Sequence, residues 1–262
     1  MGLILAVVNQ KGGVGKTTTS VNLAAFLAIR GKRVILLDLD PQANASSGLG
    51  IDKKKEDNKN TYSLLIDKTS LKDCLQPTSV RNLQVCAGTI DLAGAEIELA
   101  PLDQREHCLK NALKGFTDPY DYLIIDCPPS LGLLTLNALS AAQALLIPIQ
   151  AEYYALEGVT QLMETYHTVK QTINPELEIF GVVLTMFDGR TQLANQVEQD
   201  VRSYFGEKTF KTVIPRNVRL SEAPSYGQPI SVYDRRSKGA EAYLKLSREV
   251  LKRTKQWKEQ LS

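Results

Sequence analysis

Residues 11–18 read Lys11-Gly12-Gly13-Val14-Gly15-Lys16-Thr17-Thr18, KGGVGKTT, between an apolar run at 3–8 and a helix-forming stretch that continues from Ser20 through Leu27. A strand that passes through a glycine-rich turn into a helix is the layout of a phosphate-binding loop, G-x-x-x-x-G-K-[ST]. Counting back from Gly15-Lys16-Thr17 puts Gln10 where the first glycine should stand, so the strict pattern fails. Gly12, Gly13 and Gly15 still let the backbone turn its N–H groups inward around phosphate oxygens. The helix that follows adds the positive field of its N-terminus. Lys16 offers a point charge to the β- and γ-phosphates, and the Thr17 hydroxyl is suited to Mg²⁺. A ligand-free turn would explain the glycines but not Lys16-Thr17-Thr18 at the helix start. The anomaly is Lys11: a phosphate loop needs one lysine, and this one has a second, five residues earlier.

Two further segments suit a nucleotidase. Tyr122-Leu123-Ile124-Ile125-Asp126 is an apolar run ending in a carboxylate, so Asp126 is expected to hold a metal through water. Val34-Ile35-Leu36-Leu37-Asp38-Leu39-Asp40 ends in two carboxylates, and strand alternation points Asp38 and Asp40 the same way. One can contact the water shell of the metal while the other orients an attacking water.

Around this site the chain reads as alternating strands and helices. Strands are expected at 3–8, 33–37, 83–87, 122–125, 144–149 and 179–184, and helices at 16–30, 93–113, 133–141, 155–172, 192–205 and 238–260. The strands are continuous apolar runs, as in a sheet covered on both faces. The expected fold is α/β, a doubly wound, mainly parallel sheet flanked by helices, with ligands beyond the carboxyl ends of the strands. With 262 residues and no repeat or long linker, one domain is expected over 1–262, with a basic C-terminal segment at about 236–262 packed on it. Residues 52–60 are nearly all charged or amide and read as an exposed, mobile loop.

Composition, 43% hydrophobic and 23% charged, is that of a globular chain, and no apolar run is long enough to span a bilayer. The apolar start lacks a basic lead and a cleavage site, so a first strand is expected there and not a signal peptide. Cys74, Cys86, Cys108 and Cys127 have no paired spacing, which argues against a disulfide or metal framework and fits a reducing cytosol. The net charge of +2 conceals a division: residues 1–207 sum to −6 and residues 208–262 to +8. A basic C-terminal fifth calls for an anionic partner, nucleic acid or membrane.

Together, KGGVGKTT, LDLDPQAN at 37–44, LIIDCPPSLG at 123–132 and PRNVRLSEAPSYG at 215–227 resemble the ParA/Soj family of DNA-partition ATPases. That family lies within the deviant Walker A group of P-loop NTPases, which also holds the MinD proteins, and the likeness runs from about residue 2 to about 253. The resemblance accounts for Lys11. In this group a lysine at that position reaches the nucleotide of a second subunit, supplying charge at the γ-phosphate in trans and making ATP part of a homodimer interface. It further implies that Asp40 positions the hydrolytic water, that Asp38 supports the metal with Thr17 and Asp126, and that Pro215-Arg216-Asn217 holds adenine. The ATP site is thus expected to comprise Lys11 to Thr18 and Pro215 to Asn217, with Lys11, Lys16 and Asp40 catalytic and ATP and Mg²⁺ as ligands. Arg190 and Arg219 match positions implicated in DNA contact, and Arg235, Arg236 and Lys238 extend that patch. Neither a helix-turn-helix signature nor an aromatic stacking platform is legible, so binding to double-stranded DNA is expected to be non-specific. A ParB-type centromere-binding partner is implied as the stimulator of slow hydrolysis, in a cytoplasmic, nucleoid-associated protein that moves chromosomes or plasmids.

Two rivals have distinct signatures. A membrane-cycling ATPase of the MinD type needs a C-terminal amphipathic helix, and Leu251, Trp257 and Leu261 give only a thin stripe, so no stable membrane association is expected. A reductase of the nitrogenase iron-protein kind needs cluster cysteines, and Cys127 has no evident mate.

Overall fold

The computed structural model describes residues 2–52, 59–115, 119–152 and 155–261. Most of the expected loop at 52–60 therefore lies outside the described residues. In chain order the elements are β1 (Leu3–Val7), α1 (Lys16–Ile29), β2 (Val34–Asp38), α2 (Asn44–Gly48), α3 (Thr61–Leu65), α4 (Leu71–Cys74), β3 (Leu75–Pro77) and β4 (Leu83–Cys86). Then follow α5 (Leu92–Leu99), α6 (Cys108–Ala112), β5 (Tyr122–Asp126), α7 (Leu133–Ala141), β6 (Ala144–Gln150), α8 (Ala155–Thr172) and β7 (Glu178–Thr185). The chain closes with α9 (Gln192–Phe205), α10 (Val218–Glu222), α11 (Ile230–Tyr233) and α12 (Lys238–Leu261).

Among the described residues the strands form one sheet in the order β3-β4-β2-β5-β1-β6-β7. Every pairing is parallel except β3 with β4. The antiparallel edge was not expected. It is three residues long, and its Pro77 cannot donate to a ladder, which confines it to a sheet edge. The central strands β1, β2 and β5 are buried along their whole length, since helices cover both faces and split the core into two apolar clusters.

The helix expected at 93–113 is broken. α5 ends at Leu99, and Pro101 stands just past its C-cap Ala100; its ring and missing N–H stop the ladder there. The chain restarts through Gln104, whose φ of 54° is left-handed, and only then enters α6. At the other end, α12 lies against α1. Tyr243, fully buried, shares a hydrogen bond of 3.1 Å with Thr19, and Leu246 and Val250 join the same cluster as Leu23 and Leu27.

The register positions the site. Val7 pairs with Asp126, and Asp38 pairs with Asp126, so the carboxyl ends of β1, β5 and β2 lie in one row. The connection from β1 into α1 leaves from that row.

Candidate nucleotide site

The turn from β1 into α1 is fixed before any ligand enters. Asn9 is buried; its side-chain amide donates to the Pro148 carbonyl at 2.7 Å and its oxygen accepts from the Lys11 amide at 3.0 Å. Gly13 and Gly15 take φ of 77° and 85°, which a residue with a Cβ adopts only at a cost. Thr185, at the end of β7, donates its hydroxyl to the Val14 carbonyl at 2.8 Å. α1 opens at Gly15 without a side-chain cap, so the amides of its first turn remain available to an anion.

Lys16 is buried, and its ammonium donates to the Lys11 carbonyl at 3.1 Å. Burial lowers its pKa, and Asp126 opposes that shift. Thr17 donates to Asp126 Oδ2 at 2.8 Å, and Ser20 to Asp126 Oδ1 at 2.8 Å. Asp126 and Asp38 have no accessible surface, and burial drives both carboxyls upward, each reinforced by neighbouring carboxylates. The Asp38 carboxylate is held by Ser46, whose amide and hydroxyl both donate to Oδ2, at 2.8 and 2.6 Å. The Ser46 hydroxyl in turn accepts from the Gly88 amide at 2.9 Å. Asp40 differs: it lines the open cleft, and its Oδ1 accepts from the Gln42 amide at 2.9 Å. Asp38 and Asp40, expected to point the same way with different tasks, are both buried, but Asp38 is fully enclosed while Asp40 reaches the cleft wall.

The cleft over the phosphate loop has a volume of about 620 Å³ and is walled by Gly12 to Thr18 without Val14, by Asp40, and by residues 223–225 from the far side. Gly15, Thr18, Met186 and Pro224 also line a second space of about 470 Å³, so the two adjoin. Pro215, Arg216 and Asn217 border that second space. Asn217 Oδ1 is buried with no hydrogen-bond partner in the described structure, an acceptor waiting for a donor. Arg216 pairs with Glu152 at 3.2 Å. A nucleoside triphosphate fits this arrangement, with phosphates at the uncapped helix and a base amino group at Asn217. Mg²⁺ fits as well. Among the described residues no three acidic, His or Cys side chains could hold a metal by themselves, and Mg²⁺ commonly combines one or two carboxylates with phosphate oxygens and water.

Three contributors escaped the sequence reading. Ser20 lies four residues beyond Lys16, so helical spacing alone places both on one face. Ser46 and Thr185 gave no local signal: Ser46 meets Asp38 only because α2 folds back on β2, and Thr185 meets Val14 across 171 residues. Cys127 is fully buried and its thiol is pushed far up by burial, an environment unlike that of a cluster ligand.

The basic residues fall into two groups. Arg190, with 90% of its side chain exposed, makes a two-pronged contact to Asp188 at 2.8 and 2.6 Å, and the Asp188 carboxyl is held down to about 2. Arg219, on α10, pairs with Glu222 at 2.9 Å and with Asp234 at 3.5 Å, beside the exposed Arg235, Arg236 and Lys238. Tyr226 and Tyr233 stack at 4.9 Å next to this second group, an aromatic pair the sequence did not announce. Leu251 and Trp257 pack against the core, and among the described residues no helix is long and apolar enough to cross a membrane.

Residues 2–179 match the family model described as AAA domain. The chain is 58% identical over 250 residues to the sporulation initiation inhibitor protein Soj of Bacillus subtilis (strain 168), covering 95% of this chain and 98% of that protein. It is 55% identical to the chromosome partitioning protein ParA of Myxococcus xanthus (strain DK1622), covering 97% and 89%. Among solved structures it resembles cobyrinic acid a,c-diamide synthase from Mycobacterium smegmatis with bound ADP and magnesium, at 37% identity, TM-score 0.84 and coverage of 97% and 96%. It also resembles the septum site-determining protein MinD of Pyrococcus horikoshii complexed with Mg-ADP, at 28% identity, TM-score 0.77 and coverage of 95% and 96%.

Proposed function

Because the chain belongs to the ParA/Soj family of chromosome-partitioning ATPases, we propose that ATP closes two copies of it over their nucleotide clefts and that the closed pair carries non-specific DNA. The chemistry is hydrolysis of ATP to ADP and phosphate with Mg²⁺. Residues 1–262 act as one ATPase unit, with the basic C-terminal helix as part of its body.

The observation that carries the dimer is the openness of the phosphate loop on its outer side. Gly12 and Gly13 are exposed, and a Cβ built at either would meet nothing within 4 Å. Asp40 opens onto the same cleft. A hydrolytic site open to water on this face lacks the enclosure that strengthens charge stabilisation. A second copy supplies it, and Lys11, beside Gly12, is the cation positioned to cross.

Within each copy Lys16 releases the Lys11 carbonyl and takes the phosphates, and the amides of 13–18 cradle them. Thr17 and Asp126 would hold Mg²⁺, with Asp38 behind, and the ion would supply charge neutralisation at the phosphates. Asp40, held by the Gln42 amide, orients the attacking water. Asn217 accepts from the adenine amino group. Loss of the γ-phosphate removes the contact for the partner's Lys11, so the pair separates. DNA affinity arises from joining two weak basic surfaces, each bearing Arg190, Arg219 and the 235–238 group. A ParB-type partner stimulates hydrolysis, and the protein works in the cytoplasm on the nucleoid. The membrane-cycling alternative is disfavoured because Leu251 and Trp257 are partly buried against the core, which thins an already sparse apolar stripe.

The test is DNA retention with ATP. Asp40→Ala should hold plasmid through repeated washing, and Arg219→Glu in the same background should lose it while still dimerising. Equal retention by both would remove Arg219 from the interface.

A further inference from the structure

We propose that Glu222 and Asp234 form an acidic latch that keeps Arg219 from DNA phosphates until ATP is bound. The inference rests on the reading above, in which Arg219 is a phosphate contact.

Arg219 is exposed, yet its guanidinium is engaged: Nη1 donates to Glu222 Oε2 at 2.9 Å, and Nε lies 3.5 Å from Asp234 Oδ2. Two carboxylates around one guanidinium leave the cluster with a formal charge of −1. A DNA phosphate drawn in by the neighbouring Arg235, Arg236 and Lys238 must still displace these two carboxylates to reach the guanidinium. The latch is braced. Tyr233 donates to Glu222 Oε2 at 3.1 Å, and Tyr226 stacks on Tyr233 with ring centroids 4.9 Å apart. Glu222 closes α10, and Asp234 directly follows α11.

The segment between these two ends is a wall of the nucleotide cleft. Ala223, Pro224, Ser225 and Gln228 face the phosphate space, and Pro224 also faces the base space. The same segment is pinned to the carboxylate side of the site. A Cβ at Gly50 would sit 2.9 Å from the Gly227 carbonyl oxygen, so the two backbones touch just beyond α2, the helix whose Ser46 holds Asp38. A nucleotide seated in the cleft would lie against Ala223, Pro224 and Ser225, the residues that separate Glu222 from Tyr226. Contact with that wall favours a position in which Arg219 is released, and this links ATP to DNA within one copy, in addition to the avidity of the pair.

The experiment compares Glu222→Gln/Asp234→Asn with a charge-matched control, Glu241→Gln/Glu259→Gln. The control removes two exposed acids of α12 that pair with Lys245 and Lys255. Binding to a fluorescent duplex of arbitrary sequence is measured at low salt, without nucleotide and with ATP. Exposed ion pairs are each worth up to a few-fold, so the latch variant without nucleotide should bind about tenfold tighter than the unaltered protein. The control should gain less than about threefold, and the advantage of the latch variant should shrink once ATP is added. A nucleotide-free latch variant no tighter than the control overturns the latch. If the unaltered protein with ATP does not bind the duplex at all, the DNA-binding reading itself falls. Should the double variant melt early, Glu222→Gln against Glu241→Gln gives the same comparison with one charge each.

Discussion

Gly12→Val separates folding from assembly more sharply than any other single change in the loop. Gly12 does not take a positive φ, and a Cβ there would have nothing within 4 Å. A valine is therefore free of strain in one copy, and stability should change by less than about 0.5 kcal/mol. At Gly13, where φ is 77°, the same change should cost at least about 1 kcal/mol. ATP affinity of the single copy should likewise hold within about threefold. The cost appears only when a second copy closes on the loop. Forcing extra methyl groups into a packed contact costs about 1–3 kcal/mol, and a two-fold interface carries each residue twice. The dimer should weaken by about 2–6 kcal/mol, roughly thirtyfold to twenty-thousandfold in its dissociation constant. Light scattering across a concentration series, with Gly12→Val introduced into the Asp40→Ala background and ATP saturating, reads this directly. Thermal melts and titration with a fluorescent ATP analogue provide the two controls. Unchanged dimerisation by a folded, ATP-bound Gly12→Val protein would refute the claim that this face of the loop meets a partner.

Two further outcomes follow from the interior of the site. Lys16→Ala should lower ATP affinity at least about a hundredfold, since hydrogen bonds to charged groups are worth about 1.5–3 kcal/mol each and this ammonium would make more than one; fluorescent-analogue binding checks it, and a melting curve should show the fold intact. The second is a pH effect. Asp126 and Asp38 have folded pKa values raised to about 7 and about 6, above their unfolded values, so the native state binds more protons than the unfolded chain at intermediate pH. Nucleotide-free stability should therefore fall as pH rises from 6 to 8, by about 1–2 kcal/mol from these two groups. Asp126→Asn should flatten the profile in urea unfolding, and an equally steep profile in that variant would assign the effect elsewhere.

The parts of this molecule that were legible in its sequence are those set by local pattern. The glycine loop, the apolar strands with terminal Asp38 and Asp126, and α7, α8 and α9 depend on periodicity and punctuation within a few residues. The single helix expected at 93–113 failed because apolar spacing outweighed Pro101, a local signal that was present. Two other features were not local. Asp38 and Asp40 share a strand parity, but Ser46 draws one inward while the other lines the cleft, and this depends on how α2 folds back. The basic residues were visible as charges, yet their neutralisation was not. Glu152 faces Arg216 across 64 residues, and Asp234 reaches Arg219 only because α11 returns beside α10.

The central claim, that ATP joins two copies of this chain, is tested most directly by measuring the mass of Asp40→Ala in solution with ATP, with ADP and without nucleotide. Twice the chain mass with ATP and a single chain mass in the other two conditions is the expected result. A single chain mass with saturating ATP, in protein shown to have bound it, would contradict the claim.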